Sequence, residues 1–421
     1  RGTHKGCLPM LFNSYFFILV FLPVTAAGFF LLGRHGRSTW ALGWLIGASL
    51  LFYGWWNPWF VAVLIGSILF NYFWGLAAAR GSKSLLAVGI AANLGLLGYF
   101  KYTNFFVENL SAATGLSIEP SPVVLPLAIS FYTFQQISYL VDAYHGKIST
   151  HDFLNYCLFV AFFPRLIQGP IVYYNEFTPQ FAEKELFRFN PRMVAAGITI
   201  FFFGLFKKVI FADGLAAYAT PVFEAARYGY VLSLMEAWEG ALAYTLQIYF
   251  DFSGYSDMAI GLAFLFGIRI PLNFNSPYQS LNVIDFWRRW HMSLSRFLRD
   301  YLYIPLGGNR KGETMRFVNI MITMLLGGLW HGAAWTFVLW GGLHGLFLII
   351  NHGWVKIKNR LGYEGKGGRA GRFFSAALTF LAVTVAWVFF RADSAATAFR
   401  IIGSMAGQNG FALPEKYLDK F

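Results

Sequence analysis

Charge is what this chain has least of. Only 13% of its 421 residues are charged, about half the share of an ordinary soluble protein. That scarcity excludes a string of soluble domains, which the length alone would suggest. Cysteine is nearly absent too. Cys7 and Cys157 are the two present, and they form no CxxC, no zinc-ligand spacing and no disulfide framework. The motifs of common catalysts are missing: there is no GxSxG elbow, no Walker A loop, no HExxH and no GxGxxG. Alternating segments of about ten residues, which a membrane β-barrel needs, do not occur, nor does any low-complexity tract, linker or internal repeat.

What remains is apolar. Hydrophobic residues make up 57% of the chain, and runs of about twenty of them recur, the length that crosses a ~30 Å hydrocarbon layer. The pattern predicts an all-α, polytopic transmembrane protein of about eleven spans: 11–32, 40–56, 58–79, 84–100, 122–141, 153–172, 193–212, 238–268, 315–330, 333–351 and 373–391. Residues 10–421 read as one membrane domain. Residues 1–9 read as upstream of it, because Met10 stands just before the hydrophobic pattern. The first run is followed by Arg34 and Arg37 instead of a small-residue cleavage site, so it is expected to be retained.

The net charge of +13 would suggest nucleic acid in a soluble protein. Here the basic residues sit in short loops and fit the positive-inside rule, with membrane lipid as the partner and no nucleic acid. Loops 33–39 and 80–83 each carry two basic and no acidic residues, whereas 101–121 carries one basic and two acidic. That alternation places the first two in the cytoplasm and the N-terminus outside. The segment 356–372, with six basic residues against Glu364, is expected to be cytoplasmic. Three tryptophans and a proline in "YGWWNPWF" (53–60) suit a turn at the aromatic interface belt.

Residues 269–316 are polar and lack a full span. Wound at about 100° per residue, "DFWRRWHMSLSRFLRDYLYI" (285–304) separates into two faces. Trp287, Trp290, Leu294, Phe297, Leu298, Tyr301 and Leu302 share one. Asp285, Arg288, Arg289, Arg296, Arg299 and Asp300 share the other, and only Met292 strays. This predicts one amphipathic helix at the interface, ended by Ile304-Pro305 and Gly307-Gly308. His291 falls on its apolar arc, near the edge, where for a lone histidine a hydrogen bond to a neighbouring carbonyl is the favoured reading over function.

Residues 317–350 contain no Lys, Arg, Asp or Glu, yet they contain His331. As one helix they would run about 51 Å, far longer than a membrane needs. The glycines of "GGLWHGAAW" predict a break at His331. Irregular backbone at that depth is tolerated only inside protein or beside a water-filled cavity, so His331 is expected to face a cavity. A ring held out of water stays neutral and can take a proton from an incoming hydroxyl. On spacing alone, a catalytic and a structural His331 stand level. His344, thirteen residues on, would lie about 20 Å away on one straight helix and reads as structural unless the segment folds back. Asp251 and Asp257 are about 240° apart on a helix, so they make no paired acid site. Helix-to-helix hydrogen bonds explain them, with Tyr255 and Ser253 four positions away. A proton or ion relay, which a transporter would want, is the rival reading.

Three stretches carry a resemblance. "YFDFSGYSDMAIGLAFLFGIRIPLNFNSPY", "DFWRRWHMSLSRFLRDYLYIPLGGNRKG" and "LLGGLWHGAAWTFVLWGGLHG" together resemble the membrane-bound O-acyltransferase (MBOAT) family, in its bacterial alginate O-acetylation branch. The resemblance implies a helical ring around a tunnel in the bacterial inner membrane. It implies His331 as the catalytic residue and His291 as a second conserved polar position. It also implies a cytoplasmic acyl thioester such as acetyl-CoA as donor, with no bound cofactor or metal, and a periplasmic partner of the SGNH-hydrolase type that places the acetyl on a polysaccharide. On that footing His331 is the expected general base, and His291 orients the reactants or polarises the thioester carbonyl. Arg288, Arg289, Arg296 and Arg299 are candidates for the donor phosphates, against pairing with Asp285 and Asp300. D-alanyl transfer, peptidoglycan O-acyl transfer and a transporter without covalent chemistry are the alternatives. Relatives carry further C-terminal spans, so a truncated C-terminus is expected.

Overall fold

The computed structural model describes residues 10–34, 36–119, 123–362 and 368–411. The expected upstream segment with His4 and Cys7, the loop residue His35, and the tail beyond Phe411 lie outside them. The described residues are helical, with no strand among them. Six helices are long and apolar enough to cross a membrane: Phe17–Arg34, Pro58–Ala78, Lys83–Thr114, Pro191–Arg227, Trp335–Arg360 and Arg369–Arg391. Four further predicted spans are helical but shorter or more polar: Ser38–Gly54, Ile129–Tyr144, Leu234–Leu265 and Gly312–His331. The predicted span 153–172 is broken. Helix Phe153–Ala161 stops at Phe162, whose ψ of 107° leaves the helical region. Pro164 gives the reason: its ring would strike the carbonyl four residues back. Eleven full spans are therefore not established.

Local signals start the helices where the sequence places them. Asn57 caps Pro58–Ala78 by accepting from the Trp59 N–H at 3.0 Å, and the proline at N1 has no N–H to waste. Ser82 caps the next helix through Leu85 N–H. Trp55, Trp56 and Trp59 around this turn are exposed, as a belt at the head-group level requires.

The chain divides into two compact units. The first holds the described residues up to Leu205 and Tyr255–Leu272; the second holds Phe206–Gly254 and the described residues from Asn273. In the first, rings of Phe17, Phe21, Phe52, Phe163 and Phe266 pack edge to face, the arrangement the ring quadrupole favours. A buried polar knot joins its helices. Ser67 Oγ and Asn71 Nδ2 both donate to Gln136 Oε1 at 2.6 Å, and Asn93 Nδ2 donates to Asn71 Oδ1 at 2.6 Å. Such side-chain bonds tie helices where lipid offers no hydrophobic drive between them. Gly197 and Gly261 let two backbones touch: a Cβ at Gly261 would lie 2.6 Å from the Gly197 carbonyl oxygen.

In the second unit, Gly312–His331 and Trp335–Arg360 form a tight helical hairpin. Its closeness again rests on glycine. A Cβ at Gly328 would stand 2.2 Å from the Phe337 carbonyl oxygen, and one at Gly341 2.3 Å from that of Met324. Against the hairpin pack Phe286 and Trp387, and Trp290 packs on Trp387; all three are buried.

The single amphipathic helix expected over 285–304 is two. Val283–Trp287 ends at Arg288, Met292–Leu298 begins after His291, and a π-helical turn follows at Arg299–Tyr303. Between them His291 takes φ 43°, ψ 54°, the left-handed region. The cause is distant in sequence. Asn275 N–H donates to the Arg289 carbonyl at 2.9 Å, and the Met292 N–H donates to the Asn273 carbonyl at 2.9 Å. These bonds take up groups that a continuous helix would pair internally. The predicted amphipathic pattern is real, but it describes two short pieces.

Candidate active site

His331 is the last residue of Gly312–His331. Gly332 follows in extended conformation (φ −163°, ψ 150°) and Trp335 opens the return helix. The break therefore falls where the flanking glycines predict it. The His331 ring is half-buried and hemmed by aromatic rings: Trp330 at 5.0 Å, Trp340 at 5.1 Å and Phe390 at 5.1 Å between centroids. The fold-back changes the standing of His344. Its ring lies 4.8 Å from Trp340, so the same indole touches both histidines. His344 is fully buried, and its Nδ1 accepts from Trp287 Nε1 at 3.3 Å. The straight-helix separation does not apply; the packing role does.

His291 enters the same neighbourhood from the broken segment. It is buried, with Phe252 edge-on at 4.7 Å and Trp330 at 6.4 Å. Its Nδ1 lies 3.1 Å from Asn273 Oδ1. It stands outside the apolar spans. Burial there, with the His331 ring as a second contributor, pushes its pKa well below the ordinary 6.5 and keeps the ring neutral.

The four arginines separate. Arg288 and Arg299 line a cavity of about 870 Å³ whose wall also carries Arg316, Lys356 and Arg360. Arg289 and Arg296 are not on that wall. Arg289 Nε pairs with Asp285 Oδ1 at 2.9 Å, and Arg299 Nε pairs with its neighbour Asp300 at 2.7 Å. Lys356 pairs with Glu313, the acidic residue of the cavity wall. Counting Asp300 on Arg299 and Glu313 on Lys356, five cations still face two carboxylates, which makes this a place for an anion. Neither His291 nor His331 lines this cavity; the expectation that His331 looks into a cavity is not met there.

Asp251 is answered by a residue the sequence reading passed over. Lys208 Nζ lies 2.6 Å from Asp251 Oδ1 and 2.8 Å from Asp213 Oδ1, in a π-helical turn, Lys207–Ala212. That ion pair, rather than the Tyr255 hydroxyl, is its partner. Arg316, Lys356, Arg360 and Asn273 were likewise missed as site residues. For Lys356 and Arg360 the only signal was the basic segment 356–372, read as topology; for Arg316 and Asn273 there was none. Among the described residues no group of three His, Cys, Asp or Glu is placed to hold a metal.

Known proteins give the context. The family model described as "MBOAT, membrane-bound O-acyltransferase family" matches residues 76–364. A peptidoglycan O-acetyltransferase of Helicobacter pylori is 42% identical, over 96% of this chain and 81% of its own length. A probable alginate O-acetylase AlgI of Pseudomonas putida is also 42% identical, over 96% of this chain and 82% of its own. A teichoic acid D-alanyltransferase of Streptococcus thermophilus is 28% identical over 57% of this chain and 60% of its own.

Proposed function

Since the chain belongs to the membrane-bound O-acyltransferase family and is an acyltransferase, we propose that it moves an acetyl group from a cytoplasmic thioester, acetyl-CoA by its chemistry, toward a hydroxyl of a cell-surface polysaccharide across the bacterial inner membrane. In the reaction the hydroxyl oxygen bonds to the thioester carbonyl carbon, the C–S bond breaks, and the hydroxyl proton ends on the departing sulfur. His331 is the general base that takes that proton first. His291, beside it, is the second group of the site. Where that first hydroxyl belongs to an intermediate acceptor, an SGNH-hydrolase-like partner passes the acetyl from it to a hydroxyl of the polymer, whose proton returns to the first oxygen.

One observation carries this reading: His331 ends a helix at a break, half-exposed, with a second, neutral imidazole in its neighbourhood. The cationic cavity supports the donor class, because the phosphates of a CoA thioester need such a wall. Arg288 and Arg299 serve there together with Arg316, Lys356 and Arg360; Arg289 and Arg296, off that wall, do not. A peptidoglycan acceptor is the second reading. It is favoured by the equal 42% identity to relatives named for peptidoglycan and for alginate. The D-alanyl alternative has the weaker support of 28% identity over a shorter stretch. A transporter would leave a thioester intact.

The test is His331→Ala in cells and as purified protein. With normal membrane insertion, polymer acetylation and consumption of labelled acetyl-CoA should both vanish. Retained acetylation refutes the assignment. An unaltered protein that never cleaves the thioester refutes the reaction.

A further inference from the structure

His291 is gripped by a side chain eighteen residues upstream. Asn273 Oδ1 lies 3.1 Å from His291 Nδ1, accepts the Ser293 hydroxyl at 2.9 Å and accepts the Ser293 backbone N–H at 3.3 Å. The last of these decides the others. A backbone N–H can only donate, so the Asn273 atom it meets is the carbonyl oxygen and not the amide nitrogen. An oxygen that only accepts requires a donor opposite it, and on His291 that donor is Nδ1–H. A neutral imidazole carries one proton, so Nε2 keeps its lone pair. That nitrogen is buried and bonded to no protein atom.

The backbone tells the same story. His291 holds its left-handed φ of 43°, a conformation disfavoured for a residue with a β-carbon. It is held there by the Met292 N–H to the Asn273 carbonyl, at 2.9 Å. Asn273 therefore fixes both the ring's place and its proton. All three partners, Asn273, His291 and Ser293, are buried, so water does not compete for these bonds.

We infer that Asn273 is a positioning residue that locks His291 in its Nδ1–H tautomer, so that Nε2 is presented as a hydrogen-bond acceptor and never as a donor. A ring so held cannot polarise a thioester carbonyl. It receives a hydrogen instead, from the acceptor hydroxyl or from an N–H of His331. This chemical consequence rests on the acyl-transfer reading; the tautomer itself does not.

The full chain, purified in detergent with 15N-histidine, provides the test. The His291 resonances are those missing from His291→Gln. They should show the Nδ1–H pattern in the unaltered protein and in Asn273→Asp, which keeps an acceptor oxygen. In Asn273→Leu the pattern should be mixed or reversed. Turnover of acetyl-CoA should fall about 10²-fold in kcat in Asn273→Leu with little change in donor KM, and Asn273→Asp should recover part of the loss. An Nε2–H pattern in the unaltered protein overturns the proposal, and so does unchanged kcat in Asn273→Leu. Should that variant not fold, the spectrum of the unaltered protein decides alone. If the tautomer is as stated but His331→Ala still transfers acetyl groups, the lock stands and His331 falls as the general base; if the unaltered protein never cleaves acetyl-CoA, the lock stands and the acyl-transfer reading falls.

Discussion

The hairpin that ends in His331 offers a matched pair of perturbations one residue apart. At Gly341 an added Cβ would stand 2.3 Å from the Met324 carbonyl oxygen and 3.0 Å from its carbon; at Gly342 it would stand 3.6 Å from Leu325 Cδ2, an ordinary contact. Ordinary contact begins at 3.4 Å, so Gly341→Ala must push the two helices apart by 3.4 − 2.3 = 1.1 Å. The obstacle is backbone, which no rotamer change can move aside. Forcing an extra carbon into a packed interface costs about 1–3 kcal/mol. The displaced residue adjoins Trp340, whose ring lies 5.1 Å from that of His331. A shift of about 1 Å in a catalytic group can cost about 10²-fold in rate. Gly341→Ala should therefore lower the thermal midpoint in detergent and cut acetyl-CoA turnover by that order, whereas Gly342→Ala should match the unaltered protein in both. The assays are a size-exclusion thermostability series and thiol release from the donor. Equal midpoints and equal turnover for the two alanine variants would refute the claim that glycine sets the hairpin's spacing and, through it, the histidine's place.

Two other outcomes follow from the same geometry. Arg316→Gln combined with Arg360→Gln should raise KM for acetyl-CoA, leave kcat nearly unchanged and weaken the dependence of KM on salt, because cations that water reaches act on a charged ligand through a screened field; unchanged KM in steady-state kinetics would remove the cavity from donor binding. Asn71→Leu should lower the thermal midpoint by the equivalent of about 1–3 kcal/mol, since it strips Gln136 and Asn93 of a buried partner, and an unchanged midpoint would mean the polar knot contributes nothing.

Much of the molecule was legible without coordinates because it is local. Twenty apolar residues in a row can do little but form a helix in lipid, so ten of the eleven predicted stretches are helical, and Pro164 explains the failure of the other. Glycines on both sides of His331 marked the break, and what they supply there is room: Gly332 is extended, a conformation open to any residue, but a Cβ on it would run into the Phe337 ring. The long motifs carried the family. What failed was everything joined over distance. The helical wheel of 285–304 treats the chain as if its own neighbours were its only hydrogen-bond partners; Asn273 and Asn275, eighteen and fourteen residues away from His291 and Arg289, took those bonds and split the helix. The wheel could not separate Arg288 and Arg299, on the cavity wall, from Arg289 and Arg296, off it. Nor could it show that Lys208 meets Asp251, or that one indole touches both His331 and His344.

By itself, then, the sequence determined the solvent, the helices, the bend beside His331 and the kinship, since each depends on residues within a turn or two of one another or on a motif read whole. Only the tertiary structure decided which nitrogen of His291 carries its proton, which cations share a cavity, and how close the hairpin's backbones lie. Those depend on distances between atoms far apart along the chain, and no periodicity encodes them.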